Sequence, residues 1–384
     1  MSDASGPRLL KAGEFDEVMA LLDRYFNYER GGMAARLPFV YDPDRPERHA
    51  VITVDGEIVS HVACTPQRLV AGDAAVDCWG IGGVATAKPH RGNGYMGELL
   101  AFWLDRMDEV DVPLSDLGGD RRRYGHFGWE RAGSEVAFTI SERYAPDSAA
   151  VEGDGEVRTY EGSDELLDGL CRLHGEHELR VERDRERSRT IYDKRGLETL
   201  CYGDDGELRA YLCLSRESRE RTIREFGGDS GGVIALLAHL FEHYDLPELR
   251  AYAHPEHPLS GTFARYAGRW RVAPSRSLTI RDLPRLVEAY AGRLERKWER
   301  AARVAEGEFT LGIEGDPTGV RLSYGPKSLS VETVTGGDVD HALDRRTACR
   351  LLFGRGWEVP NHVGDSVLDA VFPLEFYIWP LERV

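Results

Sequence analysis

One segment constrains the fold of this chain more than any other part of it. Residues 84–96 read VATAKPHRGNGYM, in which strand-forming residues lead into a loop rich in glycine. From Met96 to Met107 the apolar side chains recur at helical spacing, which predicts one apolar face of a helix. The segment therefore predicts a strand, a short glycine loop and a helix in direct succession.

This succession suits the binding of a phosphate group. Backbone N–H groups at the beginning of a helix, together with the helix dipole, form a site for an anion. Gly92 and Gly94 allow the main chain to take positive φ and to approach a ligand closely. Arg91 adds a positive charge. The sequence therefore predicts a pyrophosphate site at the beginning of this helix.

The rest of the chain predicts further strands and helices in alternation. Two strand-like runs flank the turn Asp55-Gly56-Glu57, and a similar pair flanks Asp204-Asp205-Gly206. Residues 222–252 then repeat the order of strand, glycine turn, helix and strand found at residues 75–117, but without the arginine. We therefore predict an α/β (α+β) fold whose second domain repeats the first.

Two further features set the predicted domain boundaries. Residues 148–155 are small and acidic, which is typical of a linker, and an amphipathic helix from Leu286 to Trp298 opens a different pattern. The run Phe372–Pro380 near the end is too apolar to stay in solvent, so we expect it to pack on the protein. The sequence predicts three domains, at residues 1–148, 156–282 and 283–384.

Composition disfavours several functional classes. The net charge of −17 disfavours binding to nucleic acid, and it indicates either a halophilic or GC-rich source or a polycationic substrate. There is no apolar run long enough to span a membrane and no apolar signal sequence, so we predict a cytoplasmic protein without a membrane partner. The six cysteines lack C-x-x-C spacing, and the histidines lack H-E-x-x-H spacing, so no metal site is predicted.

The glycine loop resembles a known signature. Arg91-x-x-Gly94-x-Met96 is similar to the R/Q-x-x-G-x-G/A signature of the GNAT N-acetyltransferase superfamily. The methionine at its last position and the later segment Tyr124-Gly125-His126-Phe127-Gly128-Trp129 resemble the Eis-like (enhanced intracellular survival) subgroup. The layout is similar too, because that subgroup combines a catalytic GNAT domain, a degenerate GNAT-like domain and a sterol-carrier-like C-terminal domain.

The resemblance implies a function and a set of site residues. It implies direct transfer of an acetyl group from acetyl-CoA, the cosubstrate, to a primary amine of a small cationic molecule or of lysine. Tyr124 would be the general acid, and the C-terminal carboxylate of Val384 would be the base. A homo-oligomer is also implied, with a hexamer as the candidate. The implied acetyl-CoA site comprises Val84, Ala85, Thr86, Arg91, Gly92, Asn93, Gly94, Tyr95 and Met96.

Some alternatives remain open at this stage. Residues 78–86 contain no acid, so Asp77 is the nearest other candidate for the base, and Val384 stands where the subgroup has an aromatic residue. A non-catalytic sensor that binds acyl-CoA or lipid is the alternative function, although such a protein would not need the Tyr124 phenol. We expect the second domain to bind no CoA, because Asp229 places a negative charge in its glycine turn.

Overall fold

The computed structural model describes residues 3–147, 155–204, 207–216, 221–301, 306–335, 339–360 and 367–384. The linker predicted at residues 148–155 lies outside these residues except for Gly155, and the turn residues Asp205 and Gly206 also lie outside them. None of the helices in the described part of the chain combines the length and the apolar character that crossing a bilayer requires.

Strands occur along the whole length of the described chain. In sequence order they are β1 (Ala4–Leu9), β2 (His49–Val54), β3 (Glu57–Ala71), β4 (Ala74–Thr86), β5 (Leu114–Leu117), β6 (Glu130–Ala132), β7 (Glu135–Ser141), β8 (Glu156–Thr159), β9 (Leu179–Val181), β10 (Leu197–Asp204), β11 (Glu207–Ser215), β12 (Arg221–Gly228), β13 (Glu248–Ala253), β14 (Arg269–Ala273), β15 (Arg276–Ile280), β16 (Gly307–Ile313), β17 (Thr318–Gly325), β18 (Ser328–Thr335) and β19 (His341–Leu343).

The helices pack on the sheets that these strands form. They are α1 (Phe15–Phe26), α2 (Gly32–Arg36), α3 (Tyr95–Glu109), α4 (Arg121–Gly125), α5 (Asp164–Gly175), α6 (Arg185–Tyr192), α7 (Ser230–His243), α8 (Ser260–Tyr266), α9 (Leu283–Ala289), α10 (Ala291–Arg300), α11 (Arg345–Phe353) and α12 (Leu368–Val371), with short 3-10 turns at Pro46–Arg48, Lys88–His90 and Glu142–Tyr144.

The strands form three sheets in the described residues. The first sheet has the order β1-β2-β3-β4-β5-β15-β6, with β9 paired to β3, and the second has the order β14-β7-β13-β12-β11-β10-β8. Each contains one parallel pair, β4 with β5 and β12 with β13, within an otherwise antiparallel arrangement. The third sheet has four strands in the order β18-β17-β16-β19. The second sheet therefore repeats the first, as the sequence pattern predicts.

Three strands pair with the sheet of the other unit: β7 and β15 are exchanged between the first two sheets, and β9 of the predicted second domain pairs with β3 of the first. Strand β7 lies in sequence before the predicted boundary at residue 148, but it pairs with β13 and β14 of the second sheet. Strand β15 lies in the predicted second domain, but it pairs with β5 and β6 of the first sheet. Alternating apolar residues predict a strand but not the strand with which it pairs. Both sheets have a position where an additional antiparallel strand can pair, so the sequence does not decide between them. The exchange ties the two units together.

The amphipathic pattern at Leu286–Trp298 forms two helices rather than the single helix that it predicts. Tyr290 lies between α9 and α10 with φ −98° and ψ 2°, so the helix is interrupted there. The buried Tyr290 hydroxyl donates a hydrogen bond of 3.0 Å to the carbonyl of Glu375 in the C-terminal tail. The interruption of the helix at Tyr290 therefore coincides with a hydrogen bond to the C-terminal tail, which the spacing of apolar residues does not reveal.

The C-terminal tail is buried, as its apolar composition predicts. It is extended, so alternate side chains face opposite sides and join different cores. Phe372, Leu374, Phe376 and Ile378 pack in the core that contains the third sheet, whereas Tyr377 and Trp379 pack in the core of the second sheet. The tail therefore runs between the units of the protein rather than over one of them.

Candidate active site

The first sheet opens where its parallel strands diverge. Strands β4 and β5 pair only from Cys78 opposite Leu114 to Ile81 opposite Leu117. Strand β4 then continues to Thr86, past the end of β5. Its pairing with β3 shifts by one residue near Gly83, which has a φ of 57°. Such a bulge bends a strand and increases its twist, so β4 turns away from β5 and a cleft forms between them.

The glycine loop closes one end of this cleft. Gly92 and Gly94 have φ values of 89° and 87°, and α3 begins at the next residue, Tyr95. The Arg91 Nε donates a hydrogen bond of 3.1 Å to the carbonyl of Thr86 at the end of β4. The first N–H groups of α3 and the Arg91 charge therefore lie beside the end of the strand, as an anion site requires.

A cavity of about 620 Å³ lies along β4, the loop and the first turn of α3. All of the predicted cofactor residues except Asn93 line it. Asn93 instead donates its side-chain amide to the carbonyl of His90, at 3.1 Å, within the loop. The lining residues are Tyr25, Phe26, Val84, Ala85, Thr86, His90, Arg91, Gly92, Gly94, Tyr95, Met96, Gly97, Arg123 and Phe127.

Six of these lining residues are not among the cofactor residues predicted from the sequence: Tyr25, Phe26, His90, Gly97, Arg123 and Phe127. Tyr25 and Phe26 end α1, and the Tyr25 hydroxyl accepts a hydrogen bond of 2.7 Å from the Lys88 amide. Arg123 and Phe127 flank Tyr124 and bring a second positive charge and an aromatic ring to the cavity. The run of three arginines at residues 121–123 was the available signal, because three consecutive positive charges stand out in a chain whose net charge is −17.

Tyr124 lies at the end of the short helix α4 and is 7% exposed. Its ring fits against Gly119, where a Cβ atom would lie 2.5 Å from the ring, so position 119 requires glycine. Burial raises the pKa of Tyr124, and the Arg123 guanidinium opposes this rise. The phenol is therefore protonated at neutral pH and can donate a proton. It does not line the cavity itself, but its neighbours Arg123 and Phe127 do.

The C-terminal residue lies against β4, where this strand leaves β5. A Cβ atom on Gly80 would lie 2.7 Å from Cγ2 of Val384, and one on Gly82 would lie 3.1 Å from its carboxyl carbon. Side chains at these two positions would therefore displace the end of the chain. The structure thus brings Val384 to the first sheet from the far end of the sequence.

Asp77, the other candidate base, lies elsewhere. Its exposed carboxylate pairs with Arg68 at 3.3 Å near the beginning of β4. It precedes Gly82 by five residues, and a strand rises about 3.3 Å per residue, so the two positions are roughly 16 Å apart. The structure does not bring Asp77 together with Val384 and the diverging strands.

A buried polar cluster beside Val384 was also missed. Asp116 on β5 is fully buried and accepts a hydrogen bond of 2.7 Å from Arg276 of β15. The other carboxylate oxygen of Asp116 would lie 3.0 Å from a Cβ atom on Gly80. Neither this oxygen nor the side-chain amide of the buried Gln67 has a hydrogen-bond partner among the described residues. Arg276 is distant in sequence and reaches Asp116 only through the strand exchange, so no local pattern could reveal the cluster.

This cleft belongs to a known class of enzyme. Residues 7–132 match the family of acetyltransferase (GNAT) domains. This matched segment contains β4, the glycine loop, α3 and Tyr124. The chain is therefore an acyltransferase with a GNAT acetyltransferase domain, a class that uses acetyl-CoA as cosubstrate. No curated protein matches the chain in sequence.

Solved structures share the fold over the whole chain. A protein of Enterococcus faecalis called a probable N-acyltransferase has 17% identity and a TM-score of 0.73, with 99% of each chain covered. A GCN5-related N-acetyltransferase from Kribbella flavida has 18% identity and a TM-score of 0.69, covering 100% of this chain and 99% of the other. Eis1 from Mycobacterium abscessus has 14% identity and a TM-score of 0.65, with 100% of each chain covered.

These similarities confirm the predicted fold class. The chain combines tandem GNAT domains with a further α/β domain, and its fold is shared with an Eis protein, as the sequence resemblance implies.

Proposed function

We propose that the chain is an acetyl-CoA-dependent N-acetyltransferase that transfers the acetyl group directly to a primary amine, either of a small cationic molecule or of lysine. The observation that carries this proposal is the position of Val384. The carboxyl carbon of the last residue lies beside Gly82, where β4 and β5 diverge in the GNAT domain.

The residues of the cleft suit acetyl-CoA, which supplies the acetyl group. Two glycines at positive φ and the first amides of α3 would receive its pyrophosphate, with charge from Arg91 and Arg123. The main chain of residues 84–86 runs past the end of β5 and would bond the pantetheine amides. The site therefore matches an elongated ligand with phosphates at one end and amides along its length.

Two groups of the chain would handle the protons. An amine attacks only after its ammonium loses a proton, and we assign the acceptor role to the Val384 carboxylate. As the new N–C bond forms, the bond between the acetyl carbon and sulfur breaks. The Tyr124 phenol would donate its proton to the departing thiolate, and burial keeps this phenol protonated. The terminal carboxylate would also attract a cationic acceptor.

Thiol release from acetyl-CoA across aminoglycosides, polyamines and lysine peptides tests the proposal. We expect amine-dependent thiol release and an N-acetylated product identified by mass spectrometry. Tyr124→Phe is the matched variant, because it removes only the phenol proton donor. Tight acetyl-CoA binding without turnover on any amine would instead support the acyl-CoA or lipid sensor.

The same resemblance supports proposals about the rest of the chain. We assign residues 1–148 to the catalytic GNAT domain, 156–282 to a degenerate GNAT-like domain and 283–384 to a sterol-carrier-like domain, with β7 and β15 exchanged between the first two. We also propose a homo-oligomer, with a hexamer as the candidate. Sedimentation at low and high salt measures its size, and a single monomeric species under both conditions would contradict it.

A further inference from the structure

The second sheet keeps the geometry of the cleft but not its ligand chemistry. Strands β12 and β13 pair in parallel only from residues 221–223 to 249–251, and β12 then continues to Gly228. Its pairing with β11 shifts by one residue at Arg224, as the pairing of β4 shifts near Gly83. The second unit therefore has its own pair of diverging strands.

The anion site of the second unit is already filled by the chain itself. Asp229 precedes α7, and its carboxylate accepts a hydrogen bond of 2.7 Å from the amide of Gly232. The same carboxylate accepts a hydrogen bond of 2.9 Å from Arg209. A side-chain carboxylate thus occupies the place that a pyrophosphate would take at a helix N-terminus, so this cleft does not suit CoA.

The C-terminal tail packs beside the diverging strands of the second unit. The ring of Trp379 is fully buried, and its centroid lies 5.1 Å from that of Phe226 on β12. It also lies 5.5 Å from His257, which follows β13 and itself contacts Phe226 at 5.1 Å, and 5.0 Å from His177. Trp379 therefore packs against a cluster of rings that joins β12 to the segment after β13.

Charged groups of the second unit hold the residues that follow Trp379. The side chain of Arg183 is fully buried between two carboxylates. It donates hydrogen bonds of 2.5 and 3.1 Å to Glu225 of β12 and one of 2.7 Å to Glu382 of the tail. Burial opposes the charged forms, but the ion pairs hold the pKa of Glu225 well below its usual value and that of Arg183 well above. The Lys194 ammonium also donates a hydrogen bond of 3.0 Å to the carbonyl of Leu381.

The charged contacts of the tail continue to Arg383, which lies one residue before the proposed base and pairs with Glu135 of β7 in the second sheet. Glu382 is anchored to the second unit, and Val384 lies against Gly80 and Gly82 of the first. Two residues of chain span only about 7 Å, so fixing Glu382 limits where the terminal carboxylate can lie. The ion pair between Arg183 and Glu382 in the second unit thus limits the position of the Val384 carboxylate beside the first unit.

From these observations we infer that the second GNAT-like unit is a receptor for the chain's own C-terminal tail, and that the Glu225–Arg183–Glu382 triad is a positioning device for the Val384 carboxylate. Arg183 and Glu382 touch neither the cavity nor the loop that holds the cofactor, so they act through the tail. The inference rests on the proposed function, because it gives the second unit a role in placing the proposed base.

Glu382→Gln tests the triad with little change in shape. It removes one charge from the pair with Arg183 but leaves Arg183 bonded to Glu225. We expect kcat with the fastest amine of the panel to fall about 10- to 100-fold, because a displaced catalytic group costs this much, while KM for acetyl-CoA changes less than about twofold. The matched control is Glu198→Gln, which removes a buried carboxylate paired with Arg216 in the same unit and should leave kcat unchanged.

A double-mutant cycle separates positioning from general stability. One glycine added after Val384 moves the carboxylate and should itself lower kcat by about 100- to 10,000-fold. If Glu382 acts only through that carboxylate, the extended Glu382→Gln protein should be no slower than the extended wild type. Losses that multiply would show that Glu382 acts by another route and would overturn the inference.

A second measurement does not depend on activity. The release of Val384 by a carboxypeptidase reports how firmly the tail is held, and Glu382→Gln should release it about 10- to 100-fold faster than wild type or Glu198→Gln, because a buried charged hydrogen bond is lost. Unchanged release and unchanged kcat in Glu382→Gln would refute the receptor role and leave the terminal base intact. Full activity of the extended wild type would instead refute the terminal base.

Discussion

Moving the terminal carboxylate is the most direct perturbation of the proposed mechanism. Two glycines appended after Val384 carry the carboxylate about 7 Å along an extended chain. The space beside β4 cannot accept them in place, because a single Cβ atom on Gly82 would already lie 3.1 Å from the carboxyl carbon. The added residues must therefore leave this position, and the carboxylate goes with them.

The expected loss follows from the role of the group. General base catalysis by a positioned side chain contributes about 100- to 10,000-fold, so kcat should fall by that factor. The fold should survive, because the tail is held by buried side chains such as Phe376, Ile378 and Trp379, each contributing roughly 1.5–3 kcal/mol. We therefore expect unfolding by urea to begin at the same concentration as in the unmodified protein.

The assay is steady-state thiol release with saturating acetyl-CoA and the fastest amine of the panel. The same two glycines at the N-terminus provide a control of equal composition. A semisynthetic protein that ends in Val384 carboxamide provides a second variant, because it removes the negative charge without adding length. Full activity in both modified C-termini, with an unchanged circular dichroism spectrum, would refute the terminal base and direct attention to a water relay.

Further predictions address the cofactor site, the general acid, the second unit and pH. Arg91→Ala should raise KM for acetyl-CoA about tenfold with a smaller change in kcat, because it removes an interaction made equally in the ground state and the transition state. An unchanged KM would contradict the placement of the pyrophosphate beside Arg91. Tyr124→Phe should lower kcat about 100-fold or more and remove the alkaline limb of the pH profile. Calorimetric titration should give one CoA site per chain, and a second site would contradict the role of Asp229. Burial alone would raise the pKa of Glu130, but hydrogen bonds from Arg121 and Arg346 hold this pKa at about 2. The ionised Glu130 should therefore stabilise the fold above pH 4.5, and this contribution should be lost as the pH falls toward 2. The free energy of unfolding of Glu130→Gln, measured with urea, should depend less on pH across this range.

The cofactor cleft is the part of the site that the sequence predicts best. The strand at residues 84–86, the glycines at positions 92 and 94, and the helix after them are contiguous, and each follows from local preferences. Periodicity predicts the helix, and a glycine loop allows positive φ. Because these preferences act within one short segment, the predicted residues other than Asn93 also line one cavity.

Residues that meet from distant segments could not be predicted in this way. Arg276 reaches Asp116 only because β15 joins the first sheet, and Tyr25 reaches the cavity from a helix that precedes it by many residues. The sequence predicts that each element exists, but not which sheet accepts it. Pairing partners are chosen by the shape of the completed sheets, which the local pattern does not contain.

The C-terminal tail shows the same division between sequence and tertiary structure. Its apolar composition alone determines that residues 372–380 are buried, because so much apolar surface would be unfavourable in water. Only the tertiary structure decides that Trp379 enters the second unit, that Glu382 meets Arg183, and that Val384 ends beside Gly82. The hydrophobic effect requires burial without specifying a partner, whereas ion pairs and close packing depend on distances that exist only after the units have assembled.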